Sequence, residues 1–303
     1  MSDDPRWSDD PRDREDGSRD LSRGSRAGSD GRERDQVDPR DVFIEHVDLP
    51  RGPDREHVHV HDHDYTLRGS EARTLTTVGA FRVVPANDLR DKFDHSLDPR
   101  NGELWHLRES GLVNTVRLDR NTIVVTLTKE GRDLLESSRH SDAPDRQAFH
   151  AGIQRPRELK HDAQVYRAYL HEADRLRGEG ANIHRVILDN ELKAEYQEFL
   201  QERNRDREDS DGRPDRKVEE IQEWAIDHSL PCDNEGHVQF PDVRIEYDIE
   251  GRDHTLDVEV MTPQYRGAHA RAKSSAGFSC YGTGGGGRGG GRSGAGLAEE
   301  ILR

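Results

Sequence analysis

The chain has 303 residues and a formal net charge of −16, with 36% charged and 30% hydrophobic residues and a mean hydropathy of −1.06. Such a polar composition cannot pack along its whole length, so part of the chain is expected to be disordered. No apolar run is long enough to span a membrane, and the first residues lack an apolar signal segment, so the composition predicts a cytoplasmic protein without a membrane contact. Two cysteines, Cys232 and Cys280, do not make a disulfide framework.

Residues 1–66 are predicted to be a disordered tail rich in Asp and Arg, because they are of low complexity. The apolar segment Asp41–Leu49 interrupts this tail. Three alternatives stay open: it docks on the folded part, it docks on a partner, or it does not dock. A tract of alternating histidines follows, from His57 to His63. In an extended strand these imidazoles would share one side, where they could bind Zn²⁺ or Ni²⁺. Alternating histidines in a polar segment are more often an adventitious metal binder than a built site.

Residues 67–138 have the pattern of three helices followed by a hairpin. The first helix is capped by Ser70 and carries its apolar residues at helical spacing. These apolar residues are Leu75, Val78, Phe81 and Val84. Pro85 and Asn87-Asp88 are predicted to end this helix and to start a short second helix that reaches Phe93.

The third helix is predicted to begin at Asp98-Pro99 and to end at Gly111, which favours a left-handed cap. Its inward residues are Leu104, Trp105 and Leu107. Two strands, 112–118 and 122–128, then form a hairpin that we call the wing. A last helix runs from residue 128 to Ser138.

The strings LWHLRESGLVNT and IVVTLTKEGRDLL (residues 104–115 and 123–135) resemble MarR-like winged helix-turn-helix domains. The resemblance implies that the third helix enters the major groove of double-stranded DNA and that the wing touches the backbone. The residues expected to contact DNA are Arg100, Asn101, His106 and Arg108 from the helix, and Arg117 and Arg120 from the wing. Residues 70–138 contain ten Lys/Arg and eleven Asp/Glu, so the domain has no overall basic character and a protein-interaction role stays open.

A polar linker is expected at residues 139–155, a second domain at 156–281, and a Gly-rich tail at 282–303. The second domain is predicted to contain helices, a strand and a hairpin. These elements are a helix over 156–176, a strand over 184–188, helices over 191–200 and 218–228, a hairpin over 238–261 and a helix over 268–277.

The hairpin alternates apolar and charged residues on both of its strands. Because opposed residues of an antiparallel pair share a face, apolar residues must oppose apolar ones. A two-residue turn at Glu250-Gly251 satisfies this condition and sets Asp242 opposite Glu259. Two neighbouring carboxylates can share a divalent cation that polarises a phosphate and activates water. An ordinary hairpin with a solvated polar face would show the same alternation.

Pro241-Asp242 and Glu259-Val-Met261 resemble the PD-(D/E)xK core of restriction-endonuclease-like proteins. The resemblance implies that Asp242 and Glu259 hold Mg²⁺ and that an acid on the first helix, Glu158 or Asp162, completes the metal shell. Met261 occupies the position of the motif lysine. In this superfamily the lysine can move to the following helix, where Lys273 is the candidate.

The order of these motifs resembles the replication-relaxation family of plasmid and mobile-element proteins, over roughly residues 67–281. The motifs are the winged helix, ELKHD (158–162), PD (241–242) and Glu259, Thr262, Tyr265, Lys273 and Tyr281. The resemblance implies an α/β (α+β) protein with a winged helix, a small nuclease-like domain, disordered tails and a role in plasmid replication, relaxation or mobilisation. Alternatives are a non-enzymatic transcriptional regulator, whose second domain dimerises or senses a ligand, and an adaptor without a DNA role. A homodimer stays open.

Overall fold

The computed structural model describes residues 41–91, 95–140, 146–153, 155–205, 216–261 and 273–282. Within these residues, helices and strands combine into a mixed α/β fold with three sheets. None of the described helices is both long and apolar enough to cross a membrane. The predictions for the tails at 1–40 and 283–303, and for Phe93, Thr262 and Tyr265, fall outside the described residues.

The segment before residue 67 is folded from Asp41 onward, so the prediction of disorder is wrong for residues 41–66. It forms helix α1 (Asp41–Ile44) and a hairpin of β1 (Glu56–Val60) and β2 (His63–Leu67). Phe43 and Val47 from this segment are fully buried. Removing such side chains from water contributes about 1.5–3 kcal/mol each, which explains how a short island in a polar sequence joins the core.

Helices α2 and α3 and a three-stranded sheet follow. Their bounds are α2 (Gly69–Ala80), β3 (Val84–Pro85), α3 (Gly102–Glu109), β4 (Val113–Arg117), β5 (Ile123–Leu127) and α4 (Lys129–Ser137). The strand order is β3-β5-β4, and both pairs are antiparallel. The hairpin of β4 and β5 is the predicted wing.

The first helix ends earlier than its apolar spacing predicts. Val84 lies in β3 opposite Val125, and the expected second helix is reduced to a 3-10 turn at Ala86–Asp88. A residue before proline is restricted to extended backbone, so Val84 cannot continue the helix. The N-cap is Arg68, not Ser70.

Helix α3 begins at Gly102 rather than at Asp98-Pro99. The Asp98 carboxylate accepts a hydrogen bond from the Arg100 amide at 2.9 Å and so closes a turn before the helix. Trp105, predicted to face inward, is 42% exposed because Leu104 and Leu107 already form the buried stripe of this short helix. Gly111 has a φ of +73°, which confirms the predicted left-handed cap.

Helix α5 (Leu159–Gly178) joins the two predicted domains into one hydrophobic core. Its Tyr166 and Tyr169 pack on Phe81 at the end of α2, with ring centroids 5.0 and 5.1 Å away. The same core continues to Val258 in the next sheet. The predicted boundary therefore does not separate two independent cores.

The described part of the predicted linker is also packed. Phe149 is buried in the shared core. The Gln147 side chain donates to the carbonyl oxygen of Val186 at 3.0 Å and accepts from the Val186 amide at 2.9 Å. One amide side chain thus satisfies both backbone groups of an edge-strand residue, which a flexible linker would leave to water.

A four-stranded sheet completes the fold, in the order β6-β7-β8-β9. Its strands are β6 (Asn182–Leu188), β7 (Val243–Ile249), β8 (Arg252–Met261) and β9 (Ser279–Gly282), and two further helices are α6 (Asp189–Gln201) and α7 (Val218–Asp227). Val243 pairs with Val258, and Ile245 with Leu256, which confirms the predicted register and the turn at Glu250-Gly251. Strand β9 is parallel to β8.

Candidate carboxylate centre and candidate DNA interface

Asp242 and Glu259 lie at the same end of the β7–β8 hairpin. The Asp242 amide donates to the Val258 carbonyl at 3.1 Å, and Asp242 Oδ2 accepts from the Val260 amide at 2.8 Å. Glu259, between Val258 and Val260, is only 2% exposed. Asp242 is thus bonded to both residues that flank Glu259, although the paired residues of the ladder begin only at Val243 with Val258.

Lys273 joins this pair from beyond β8. Its Nζ lies 3.2 Å from Glu259 Oε2 and donates to the Phe240 carbonyl at 2.9 Å. The lysine therefore reaches the acid although Met261 occupies the motif position and is itself buried. We call Asp242, Glu259 and Lys273 the carboxylate centre.

His161, on α5, is a member of this neighbourhood that the sequence analysis missed. Its Nε2 lies 3.2 Å from Asp242 Oδ2, and its Nδ1 lies 3.7 Å from Asp162 Oδ1. Burial by itself lowers the pKa of His161, but hydrogen bonds and charges from Asp162 and Asp242 outweigh it and raise that pKa to about 10. The ring is therefore a cation at neutral pH. Its position inside ELKHD, next to Asp162, was the available signal.

Asp162 contacts His161 and is also part of a network of ion pairs that includes Arg82. Arg82, in the loop after α2, lies 3.2 Å from Asp162 Oδ1 and 3.0 Å from Asp189 Oδ1. Lys193 lies 2.7 Å from Asp189 Oδ2. Burial raises the pKa of Asp189, but the hydrogen bond from Lys193 and the charges of Arg82 and Lys193 lower it further than burial raises it. The network ties α2, α5 and α6 together beside the centre.

Glu158, predicted as a helix acid of the metal shell, lies elsewhere. Its side chain is 44% exposed and pairs with Arg155 at 3.2 Å. Glu158 stands in the 3-10 turn before α5, one turn of chain ahead of Asp162. Of the two helix acids considered, only Asp162 lies beside His161 and the centre.

The charged face of the hairpin is covered at the end that carries Asp242 and Glu259, so this end is not the solvated face of an ordinary hairpin. Arg244 is buried and pairs with Asp257 at 2.7 Å. It also donates to the carbonyl oxygens of His228 and Ser229, which follow α7. A buried arginine with all these partners is structural rather than a solvent-facing charge.

Mg²⁺ is the cation that the sequence predicts at this centre. In the part of the chain that the structure describes, no group of three or more His, Cys, Asp or Glu side chains is arranged to hold a metal ion; this also covers His57–His63. Mg²⁺ commonly keeps several waters and binds through one or two carboxylates together with substrate phosphates. The oxygen donors of Asp242 and Glu259 therefore fit Mg²⁺ in kind, although Lys273 and His161 already neutralise part of their charge.

The residues predicted to contact DNA separate into two groups. In the first group, Arg108 is half-buried and the other four residues are exposed, namely Arg100, Asn101, Arg117 and Arg120. His106 instead turns inward, with Nδ1 3.1 Å from a carboxylate oxygen of the fully buried Glu71. Glu71 also binds Arg55 at 2.6 Å, so His106 serves a structural ion cluster. We therefore remove His106 from the set of candidate DNA contacts.

The chain was compared with protein-family models, with curated proteins and with solved structures, and none of the three comparisons gave a match. The geometry of the described residues is therefore what supports a functional assignment.

Proposed function

We propose that this protein binds double-stranded DNA through a winged helix-turn-helix and carries a nuclease-like centre that acts on the bound DNA. In keeping with the family resemblance, its role is the replication, relaxation or mobilisation of a plasmid or other mobile element. The observation that carries this proposal is that Asp242 bonds to the two residues that flank Glu259, while Lys273 lies 3.2 Å from Glu259, at one end of the β7–β8 hairpin.

The order of elements supports the first half of the proposal. A helix, a short strand, a 3-10 turn, a second helix and a hairpin, with the short strand added to the hairpin as β3-β5-β4, follow the order that the winged-helix resemblance implies. Helix α3, in the position of the recognition helix, keeps Asn101 and Trp105 accessible. The wing presents Arg117 and Arg120 to solvent, as backbone contacts require.

The position of Lys273 supports the second half. A nuclease-like centre needs a cation beside the carboxylate pair to stabilise the charge that develops on the phosphate. Lys273 takes this position although the motif lysine is replaced by Met261. Its ammonium group is held by the Phe240 carbonyl and by Glu259, so it is oriented before DNA binds.

The roles of the residues follow from these contacts. Asp242 and Glu259 would hold Mg²⁺, which supplies polarisation of the phosphate and an activated water. Lys273 stabilises the anionic phosphate during cleavage. His161 does not touch the phosphodiester in this proposal; it orients Asp242 through the contact of Nε2 with Oδ2.

The test is nicking of supercoiled plasmid with Mg²⁺ or Mn²⁺ and with EDTA. We expect metal-dependent nicking that is lost in Glu259→Gln and kept in Asp253→Asn, an exposed acid at the other end of the hairpin. Circular dichroism of both variants checks that they fold. Metal-dependent nicking that persists in Glu259→Gln would refute the centre.

A non-enzymatic transcriptional regulator is the second candidate. It is favoured by the burial of Glu259, which is only 2% exposed and is already paired with Lys273. For this function, the protein would retain one DNA sequence selectively from a random pool and would leave supercoiled plasmid intact with every metal. Selection of a binding sequence followed by a nicking assay therefore separates the two candidates.

A further inference from the structure

The first turn of α5 is packed against the wing. Leu159 and Ala163 form a small apolar cluster with Val83 and Val124, the latter in β5. Partly buried Val116, Leu118 and Ile153 complete this cluster. Because of this contact, the exposed side of the first turn of α5 and the wing form one continuous surface.

Lys160 lies on this surface close to the wing loop. The pKa of Asp119, in that loop, is lowered first by the hydrogen bond from the Asn121 amide and also by the positive charge of Lys160. Lys160 and Arg157 are both exposed. The next residue after Lys160 is His161, which contacts Asp242 of the carboxylate centre.

Most of the described cationic side chains on this surface do not form salt bridges with acidic side chains. Among the described residues, ion pairs occupy most of the arginines, as expected in a chain with a net charge of −16. In the same described part, Arg117, Arg120, Arg157 and Lys160 form no salt bridge, although the charge of Lys160 acts on Asp119 from a longer distance. Asp119 instead accepts hydrogen bonds from the amides of its own loop, and Glu158 pairs with Arg155. The surface is thus a local basic patch on an acidic protein.

We propose that this surface, which we call the wing–α5 ridge, binds the phosphates of one DNA strand and leads that strand from the wing to the carboxylate centre. The ridge consists of Arg117 and Arg120 of the wing, Arg157 of the 3-10 turn before α5, and Lys160 of α5. An acidic protein repels DNA at long range, so its contacts depend on local cations of this kind. The inference rests on the proposed function, since it concerns DNA held for that centre.

The ridge assigns DNA binding to residues that a winged helix alone would not include. A winged helix acting by itself needs only α3 and the wing. Arg157 and Lys160 lie outside that module, yet the cluster around Leu159 fixes them to it. DNA contact at these two residues would therefore make the start of α5 part of the binding surface.

The experiment measures binding of the full chain to a fluorescein-labelled duplex by anisotropy over a NaCl series. We compare the wild type with the double variant Arg157→Ala/Lys160→Ala. Each lost phosphate contact reduces the magnitude of the negative slope of log K against log salt by about 1. The slope of the double variant should therefore be shallower than that of the wild type by roughly 2. Arg252→Ala is the matched control, because Arg252 is exposed at the opposite end of the hairpin from Asp242.

The outcomes separate the inference from the proposed function. A slope reduced by roughly 2 in the double variant, with Arg252→Ala unchanged, supports the ridge. A double variant that binds like the wild type overturns the ridge and leaves the proposed function standing. An equal loss in Arg252→Ala also overturns the ridge, because binding would then follow net charge. A wild type that fails to bind duplex at low salt overturns the proposed function together with the ridge.

Discussion

Replacing Arg82 by Met is expected to destabilise the fold strongly. The Arg82 side chain is 10% exposed and lies within 3.2 Å of carboxylate oxygens of both Asp162 and Asp189. Removing one member of a buried ion cluster typically costs 3–5 kcal/mol, because the partners stay buried. Asp189 keeps Lys193 and Asp162 keeps His161, so we expect the lower end, about 3 kcal/mol.

The assay is urea unfolding at neutral pH, followed by far-UV circular dichroism. Arg252→Met, at an exposed site, should change the free energy of unfolding by no more than about 0.5 kcal/mol. In the double variant Arg82→Met/Asp162→Asn, the loss should be smaller than the sum of the single losses by about 1 kcal/mol or more, since the two residues share one interaction. A single loss in Arg82→Met below about 1 kcal/mol, or strict additivity, would refute the reasoning about this network.

Three further predictions concern the shared core, a tight glycine and acid stability. Variants whose single tryptophan is Trp105 in α3, or is placed in β7 by Tyr247→Trp, should show coincident urea transitions, because both elements pack into the shared core; two separate midpoints would contradict that core. Gly131→Ala should lower the free energy of unfolding by roughly 1–3 kcal/mol, because the added Cβ would lie 2.1 Å from the backbone oxygen of Leu112. Gly178→Ala, where the added Cβ meets open space, should leave the free energy of unfolding unchanged. The pKa of Asp189 is lowered in the fold, so its stabilising effect is present above the unfolded pKa and is lost as pH falls through the folded pKa. Asp189→Asn should therefore unfold with a flatter pH dependence on the acid side, and an unchanged acid profile would contradict this.

The hairpin shows what alternation in a sequence can predict. Its register followed from apolar pairs such as Val243 with Val258, because a slip of one residue would have buried every charge. The same alternation did not reveal that the charged face is covered at one end. Arg244 is buried there because the residues after α7 supply carbonyl oxygens to it. Those residues are close only in the folded chain.

The domain boundary failed for a related reason. Polar composition at 139–155 predicted a linker, but Gln147 uses its amide to pair with the backbone of β6. The helix over 156–176 was predicted, but Phe81, on which its Tyr166 packs, belongs to the other predicted domain. Periodicity identifies a buried side of a helix but does not identify the element that covers it.

The carboxylate centre was predicted in part. The register predicted that Asp242 and Glu259 are neighbours, and in the structure Asp242 bonds to the two residues that flank Glu259. Lys273 was named from a family resemblance and lies beside Glu259. His161 was missed because a single histidine in a helix has no periodic signal. Of the two candidate helix acids, Glu158 pairs with Arg155 and Asp162 contacts His161, a difference that sequence spacing alone does not determine.

The most direct test of the central claim is the single-turnover nicking rate of supercoiled plasmid, measured for the wild type and for Lys273→Met with Mg²⁺ present. The account predicts that the wild type nicks the plasmid and that Lys273→Met binds DNA equally well but nicks it about 100-fold more slowly or worse. A wild type that binds the plasmid and never nicks it, or a Lys273→Met variant that nicks at the wild-type rate, would contradict the account.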